Sequence, residues 1–188
     1  MNDLNNNLLG VFSPVITPFN KDLSVNHKKL IQQCKWLLSQ NVGLAVFGTN
    51  SEANSLSIDE KIFLLDKLVD HGIDPNKLMP GTGCCAITDT IKLTKHAVKL
   101  GCAGILMLPP FYYKAVSDDG LFDYFSNVIE SVNDDRLRIY LYHIPPIAKV
   151  GISLQLIEAL LKNYPQCIAG IKDSSGDWEN TQRMLDQN

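Results

Sequence analysis

The chain has no strong charge of either sign. Lys and Arg total 17 and Asp and Glu 20 among 188 residues, a formal net charge of −3. That is too near balance to build the basic field that a phosphate backbone requires, so nucleic acid is excluded as the expected partner. Long hydrophobic runs are missing too. The longest uncharged apolar stretch, Leu100 to Tyr113, is interrupted by Pro109-Pro110 and falls short of the ~18 residues of a membrane span. The opening segment Met1 to Asn7 is polar and acidic, without the apolar core of a signal peptide. A cytoplasmic protein that does not enter a membrane is expected. Cysteine is scarce and unpatterned: Cys34, Cys84, Cys85, Cys102 and Cys167 are odd in number, form no C-x-x-C pair and have no histidine at metal-ligand spacing. They are expected to be reduced and buried, the vicinal Cys84-Cys85 pair included. No G-x-S-x-G elbow and no phosphate-binding P-loop occurs.

What the chain does have is apolar residues, 45% of the total, enough to bury a sizeable core. They recur in one pattern without a linker or a shift in composition, so a single domain over 1–188 is expected. A short apolar run leads to a polar loop, then to an amphipathic segment, then to the next run. The runs are Val11 to Ile16, Leu44 to Phe47, Leu78 to Gly81, Gly104 to Leu108, Ile139 to Tyr142 and Ile168 to Ile171. Between them lie helical stripes: Leu30, Cys34, Leu37; Ile58, Ile62, Leu65, Val69; Ile87, Ile91, Thr94, Val98; Leu121, Phe125, Val128, Val132; Leu154, Ile157, Leu161; and Trp178, Thr181, Leu185. Ser57-Ile-Asp-Glu60 reads as a capping box, and Gly72 and Gly101 stand where left-handed helix ends belong.

Strands apolar on both faces and separated by helices are parallel, because crossover helices cover the sheet. Two architectures fit, an open doubly wound sheet and a (β/α)₈ TIM barrel with only about six of its units in this chain. An open sheet calls for a glycine-rich turn after the first strand, and here that strand runs into Ser13-Pro-Val-Ile-Thr-Pro18. Polar residues instead accumulate after several strand ends, the barrel habit.

Lys172 closes the apolar run Cys167 to Lys172, so its amine projects at a strand's C-terminal end. Partial desolvation there lowers a lysine's pKa toward the range in which the free amine attacks a carbonyl. The alternative is a lysine whose stem covers apolar surface and whose head reaches water. Tyr142 ends another strand and is followed by Pro145-Pro146; its phenol can relay protons or serve packing. Thr49 and Asn50 occupy a loop whose donors suit a carboxylate or an ordinary turn. His27, His71 and His96 lie among polar neighbours, and His143, beside Tyr142, can line a site but makes no metal centre alone.

Four segments together resemble the dihydrodipicolinate synthase and N-acetylneuraminate lyase family. Gly48-Thr-Asn-Ser-Glu52 resembles its G-[ST]-[TN]-G-E loop, Pro110-Phe-Tyr-Tyr113 its P-x-Y-Y segment, Tyr142-His-Ile-Pro145 its Y-N-x-P motif, and Gly170-Ile-Lys172-Asp its G-[IL]-K-[DE] motif. The resemblance runs from Ser13 to Gly176. It implies a (β/α)₈ barrel in which Lys172 forms an imine with a 2-oxo acid such as pyruvate, Tyr142 shuttles protons through Thr49 and Tyr113, and Thr49 with Asn50 binds the carboxylate. It implies no metal and no organic cofactor. A homo-oligomer, dimer or tetramer, is also implied, because the tyrosine matching Tyr113 reaches in from a neighbouring subunit in many members. It further implies a whole chain of about 290 residues, within the barrel range.

Three positions depart from the pattern. Ile147 stands two residues beyond the motif proline, where synthases commonly carry an arginine for the carboxylate of aspartate semialdehyde, and an aliphatic side chain supplies no bidentate contact. Ser51 replaces a glycine and is expected to tighten the carboxylate loop; His143 replaces an asparagine. The preferred expectation is a lyase or aldolase acting on a 2-keto-3-deoxy sugar acid. The alternatives are 4-hydroxy-tetrahydrodipicolinate synthase and a non-catalytic relative that binds 2-oxo acids.

Overall fold

The computed structural model describes residues 10–186, so the reading of Met1 to Asn7 lies outside the described residues. Contacts gather the chain into two units, one reaching to Thr82 and including Lys92–Leu106, the other Gly83–Ile91 with the residues from Met107 onward.

In the first unit β1 (Phe12–Pro14) pairs in parallel with β2 (Gly43–Ala45), and β2 is buried throughout. Phe12 lies opposite Gly43, and a Cβ there would come within 2.4 Å of its ring, so glycine lets the ring lie over the neighbouring strand. The third apolar run, expected as a strand, makes only isolated parallel bridges, Leu44 with Leu78 and Gly81 with Leu106. Its ladder is nonetheless present: Met79 N–H donates to Leu44 at 2.9 Å, Gly81 N–H to Val46 at 2.8 Å and Leu106 N–H to Pro80 at 2.9 Å. Pro80 has no N–H to return, which breaks the regular pattern. The helices α1 (His27–Ser39) and α2 (Ile58–Asp70) belong here. The capping box forms as read: Glu60 N–H donates to Ser57 Oγ at 3.2 Å, and Ser57 N–H to the Glu60 carboxylate at 2.8 Å. Gly72 and Gly101 both adopt φ of 83°, as their places after helices require.

The helix α3 (Ile87–Leu100) and the buried strand β3 (Ile105–Met107) contribute residues to both units. The second unit contains α4 (Asp118–Val132), β4 (Ile139–His143), the single turn α5 (Pro145–Ala148), α6 (Leu154–Asn163), β5 (Ile168–Asp173) and α7 (Trp178–Asp186). The sheet order is β3-β4-β5. β4 and β5 run in parallel, with Tyr142 opposite Lys172 and His143 opposite Asp173.

The helical stripes are confirmed in period and corrected in phase. In α4 all four expected residues are buried. In α2 the buried face is Lys61, Leu64, Leu65 and Leu68, in α6 it is Leu156 and Leu160, and in α7 it is Met184, whereas Trp178 and Leu185 are exposed. These helices carry apolar arcs wider than the contact that covers them, and packing chooses which part is buried. The cysteines also need correction. None of the five is in a disulfide, but only Cys34 is fully buried and Cys85 is exposed. Burial pushes the Cys34 and Cys102 thiols up to about 12. Among the described residues, no helix is long and apolar enough to cross a membrane.

Candidate active site

Side chains on a strand alternate between faces, so the register of β4 against β5 sorts the residues at their C-terminal ends. Tyr140 and Tyr142 share one face with Gly170 and Lys172; His143 and Asp173 lie on the other. On the first face the Lys172 Nζ stands 4.3 Å from the centroid of the Tyr142 ring, within cation–π range. Tyr142 is buried and Lys172 half-buried. Gly170 leaves room for its neighbour, since a Cβ there would meet the Tyr140 ring at 3.1 Å. The two residues that carry the expected amine and phenol are therefore brought together by cross-strand pairing.

On the opposite face the Asp173 carboxylate accepts from Thr181 Oγ1 at 2.6 Å, Ser175 N–H at 2.8 Å and Asn180 Nδ2 at 3.4 Å. Burial pushes this carboxyl up, but the hydrogen bonds from Thr181, Ser175 and Asn180 outweigh it and hold the group below its ordinary range. His143 is buried, and its Nδ1 accepts the Ile152 N–H at 2.9 Å. Burial lowers the imidazole's pKa, against the opposing pull of Asp173.

Three connections frame these strand ends within the second unit. Lys114 donates to the carbonyls of Phe111 and Ala148, the latter at 3.1 Å, linking the loop after β3 to the turn α5. Tyr113 is 78% exposed and packs edge-on against Tyr112 with centroids 5.1 Å apart, whereas Tyr142 is buried. The Gly83-Cys84 segment is pinned by its backbone: Cys84 N–H donates to Thr90 Oγ1 at 3.0 Å and the Cys84 carbonyl accepts from Tyr124 at 2.9 Å. That backbone anchorage explains why the vicinal cysteines need no burial of their own. Ile147 on α5 is 63% exposed.

Thr49 and Asn50 belong to the first unit. Their loop is bracketed by two left-handed non-glycine residues, Phe47 at φ 58° and Glu52 at φ 56°, a strain of order 1 kcal/mol each. Long-range contacts hold it. Thr17 Oγ1 donates to the Ser51 carbonyl at 2.7 Å, Ser51 Oγ donates to the Val15 carbonyl, and both residues are buried. Gly81 lies so close that a Cβ would fall 2.1 Å from the Phe47 oxygen. Ser51 thus tightens the loop as its substitution for glycine led one to expect. Thr49 is half-buried and Asn50 exposed.

Sequence reasoning missed Thr17, Asp173, Lys114, Tyr124 and the role of His143. Asp173 left a local signal as the neighbour of Lys172, and Lys114 and His143 stand in polar segments at strand ends; Thr17 and Tyr124 act on partners distant in sequence.

The chain matches the dihydrodipicolinate synthetase family over residues 7–187. It is 36% identical over 179 residues to an uncharacterized DapA-like lyase of Chloroflexus aurantiacus, covering 94% of this chain and 59% of that protein. Among solved structures it resembles the dihydrodipicolinate synthase of Agrobacterium tumefaciens, at 34% identity and a TM-score of 0.91, over 95% of this chain and 63% of that one. A variant of the Sulfolobus solfataricus 2-keto-3-deoxygluconate aldolase is similar at 27% identity and a TM-score of 0.83, over 95% of this chain and 57% of that one. These likenesses give the chain the strand–helix order of TIM-barrel proteins. It spans about three-fifths of the length of these three proteins.

Proposed function

The chain belongs to the dihydrodipicolinate synthetase family, and from that premise we propose that it is a class I lyase or aldolase whose Lys172 forms an imine with a 2-oxo acid. The observation that carries the proposal is the Lys172 Nζ held 4.3 Å over the Tyr142 ring at the C-terminal ends of paired parallel strands. In this reading the neutral amine attacks the ketone carbon to give a carbinolamine. A proton from the Tyr142 phenol leaves with the hydroxyl as water, and the protonated imine remains. That imine withdraws electrons from the adjacent carbon. Loss of a proton there gives an enamine that attacks an aldehyde, and the reverse sequence cleaves the same bond. Thr49 and Asn50 bind the carboxylate, and Tyr113, exposed on this chain, completes a proton relay in a neighbouring subunit of a homo-oligomer. The six strand–helix units are units of an eight-fold barrel forming one domain, in a cytoplasmic protein.

The substrate favoured is a 2-keto-3-deoxy sugar acid. Support comes from Ile147, an exposed aliphatic residue where a synthase needs an arginine, and from the likeness to the aldolase above. The synthase reading is supported by the 34% identity to a dihydrodipicolinate synthase of solved structure and by relatives named 4-hydroxy-tetrahydrodipicolinate synthase, one of them 33% identical.

Trapping tests the proposal. The protein is incubated with pyruvate, reduced with borohydride and mapped by peptide mass; a reduced pyruvate adduct on Lys172 is expected, and its absence from Lys172 overturns the imine reading in favour of a binding protein. Cleavage of a 2-keto-3-deoxy sugar acid, set against condensation of pyruvate with aspartate semialdehyde, then decides the substrate.

A further inference from the structure

The loop 144–153 leaves β4 immediately after Tyr142-His143 and carries α5 with its exposed Ile147. Its return to α6 is fixed at Ile152, which is 2% exposed and whose N–H donates to His143 Nδ1 at 2.9 Å. The fit is close, because a Cβ on Gly151 would already meet the imidazole Cε1 at 3.4 Å. An imidazole nitrogen that accepts a backbone N–H carries no proton of its own, so the neutral ring here is the Nε2–H tautomer. His143 and Lys172 lie on opposite faces of the sheet, and His143 therefore cannot touch a ketone bound to that lysine. Whatever it contributes passes through the loop.

We propose that His143 is a positioning residue: its Nδ1 clasps the Ile152 amide, holding the 144–153 loop to the end of β4 beside Tyr142, and a proton taken up at Nδ1 opens the clasp. Protonation turns the acceptor into a donor aimed at another donor, so the bond is lost and the two hydrogens repel. Two opposing influences set where this happens. Burial favours the neutral ring, and Asp173, opposite His143 on β5, favours the charged one. The Asp173 oxygens are already taken by Thr181, Ser175 and Asn180, and burial wins. Of the other titratable groups, Lys172 lies one position back on the other face, Lys149 in the loop is exposed, Asp118 at the start of α4 accepts from Ser153 Oγ at the end of the loop, and β3 presents only Ile105, Leu106 and Met107. The sign follows. The folded value lies below the ordinary ~6.5, so the clasp is closed at neutral pH; the stability it lends is complete above ~6.5 and is lost as the pH falls through the lowered folded value.

The link to turnover rests on the imine reading, whereas the clasp is tested without it. Hydrogen exchange of the 144–153 peptide is measured on the whole chain near pH 8 and pH 5, corrected for intrinsic exchange, in wild type, His143→Asn and His143→Leu. In wild type the Ile152 amide should exchange about tenfold faster, relative to intrinsic, at the lower pH. His143→Asn, whose amide oxygen accepts but does not titrate, should protect the loop equally at both, and His143→Leu should fail to protect it at either. A pH response shared by wild type and His143→Asn, or full protection in His143→Leu, overturns the clasp. Should His143→Leu not fold, the imidazole nitrogen NMR shifts of wild type decide instead: the Nε2–H tautomer supports the clasp and the Nδ1–H tautomer overturns it. For the link to chemistry, the ratio of wild-type to His143→Asn trapping rates on Lys172 should fall as pH drops; a constant ratio overturns the positioning role. No adduct in either protein is a failure of the imine reading alone, and exchange still judges the clasp.

Discussion

In the first unit the Gly48–Glu52 loop is tied down by Thr17, by Val15 and by the close approach of Gly81, whereas in the second unit Lys172 stands on a strand whose residues after Ile168 are all half-buried. The contrast extends to the strands beneath. β2 has β1 on one side and the Leu78 segment on the other and is buried throughout; β5 stands at the end of the order β3-β4-β5. The difference teaches what each task requires. A loop proposed to bind a carboxylate must be held rigid before the anion arrives, even at the expense of two left-handed residues. The amine proposed as nucleophile must be reachable, and the Tyr142 ring lies 4.3 Å from it.

If that contrast is right, substitutions on β5 should remove chemistry and spare the fold, while substitutions around the loop should cost stability first. The largest effect expected is in Lys172→Arg, which should abolish the borohydride-trapped adduct while shifting the urea midpoint little, because the residue is half-buried and a guanidinium does not form imines. A large loss of stability would break the comparison from the β5 side. Next comes Gly81→Ala. Its methyl would stand 2.1 Å from the Phe47 oxygen, a backbone atom that cannot swing aside, and a loss of about 3 kcal/mol or more in urea unfolding is expected. Ser51→Ala should cost about 1–3 kcal/mol in the same measurement, since it leaves the Val15 carbonyl without its buried partner. A neutral result there would show that the hydroxyl does not hold the loop. The smallest perturbation is chemical: a thiol reagent near neutral pH should label Cys85 first and leave Cys34 unreacted, because only the former is exposed and burial holds the latter near 12.

The alternation of strand and helix, the Ser57 cap and the left-handed glycines were legible because each depends on residues within a few positions of one another. So was the motif lysine, because its neighbours in the chain are part of the motif. The phase of the helices was not. In α2 and α6 the apolar arc was found, but its buried third was shifted by one or two residues, since burial depends on what lies opposite. The Leu78–Gly81 run was recognised as apolar, but not as a broken ladder.

The sequence by itself therefore determined the alternation of strand and helix, the helix ends marked by the Ser57 cap and by Gly72 and Gly101, and the places of a lysine and a tyrosine at strand ends, all of which follow from short-range sterics and hydrogen bonding. Tertiary structure alone decided that Tyr142 lies against Lys172, that Ser51 reaches Val15 and that His143 holds Ile152. Two of these three bind partners from different elements, and the third closes a loop of nine residues. Each depends on the register and relative placement of elements, which long-range burial sets and no local pattern records.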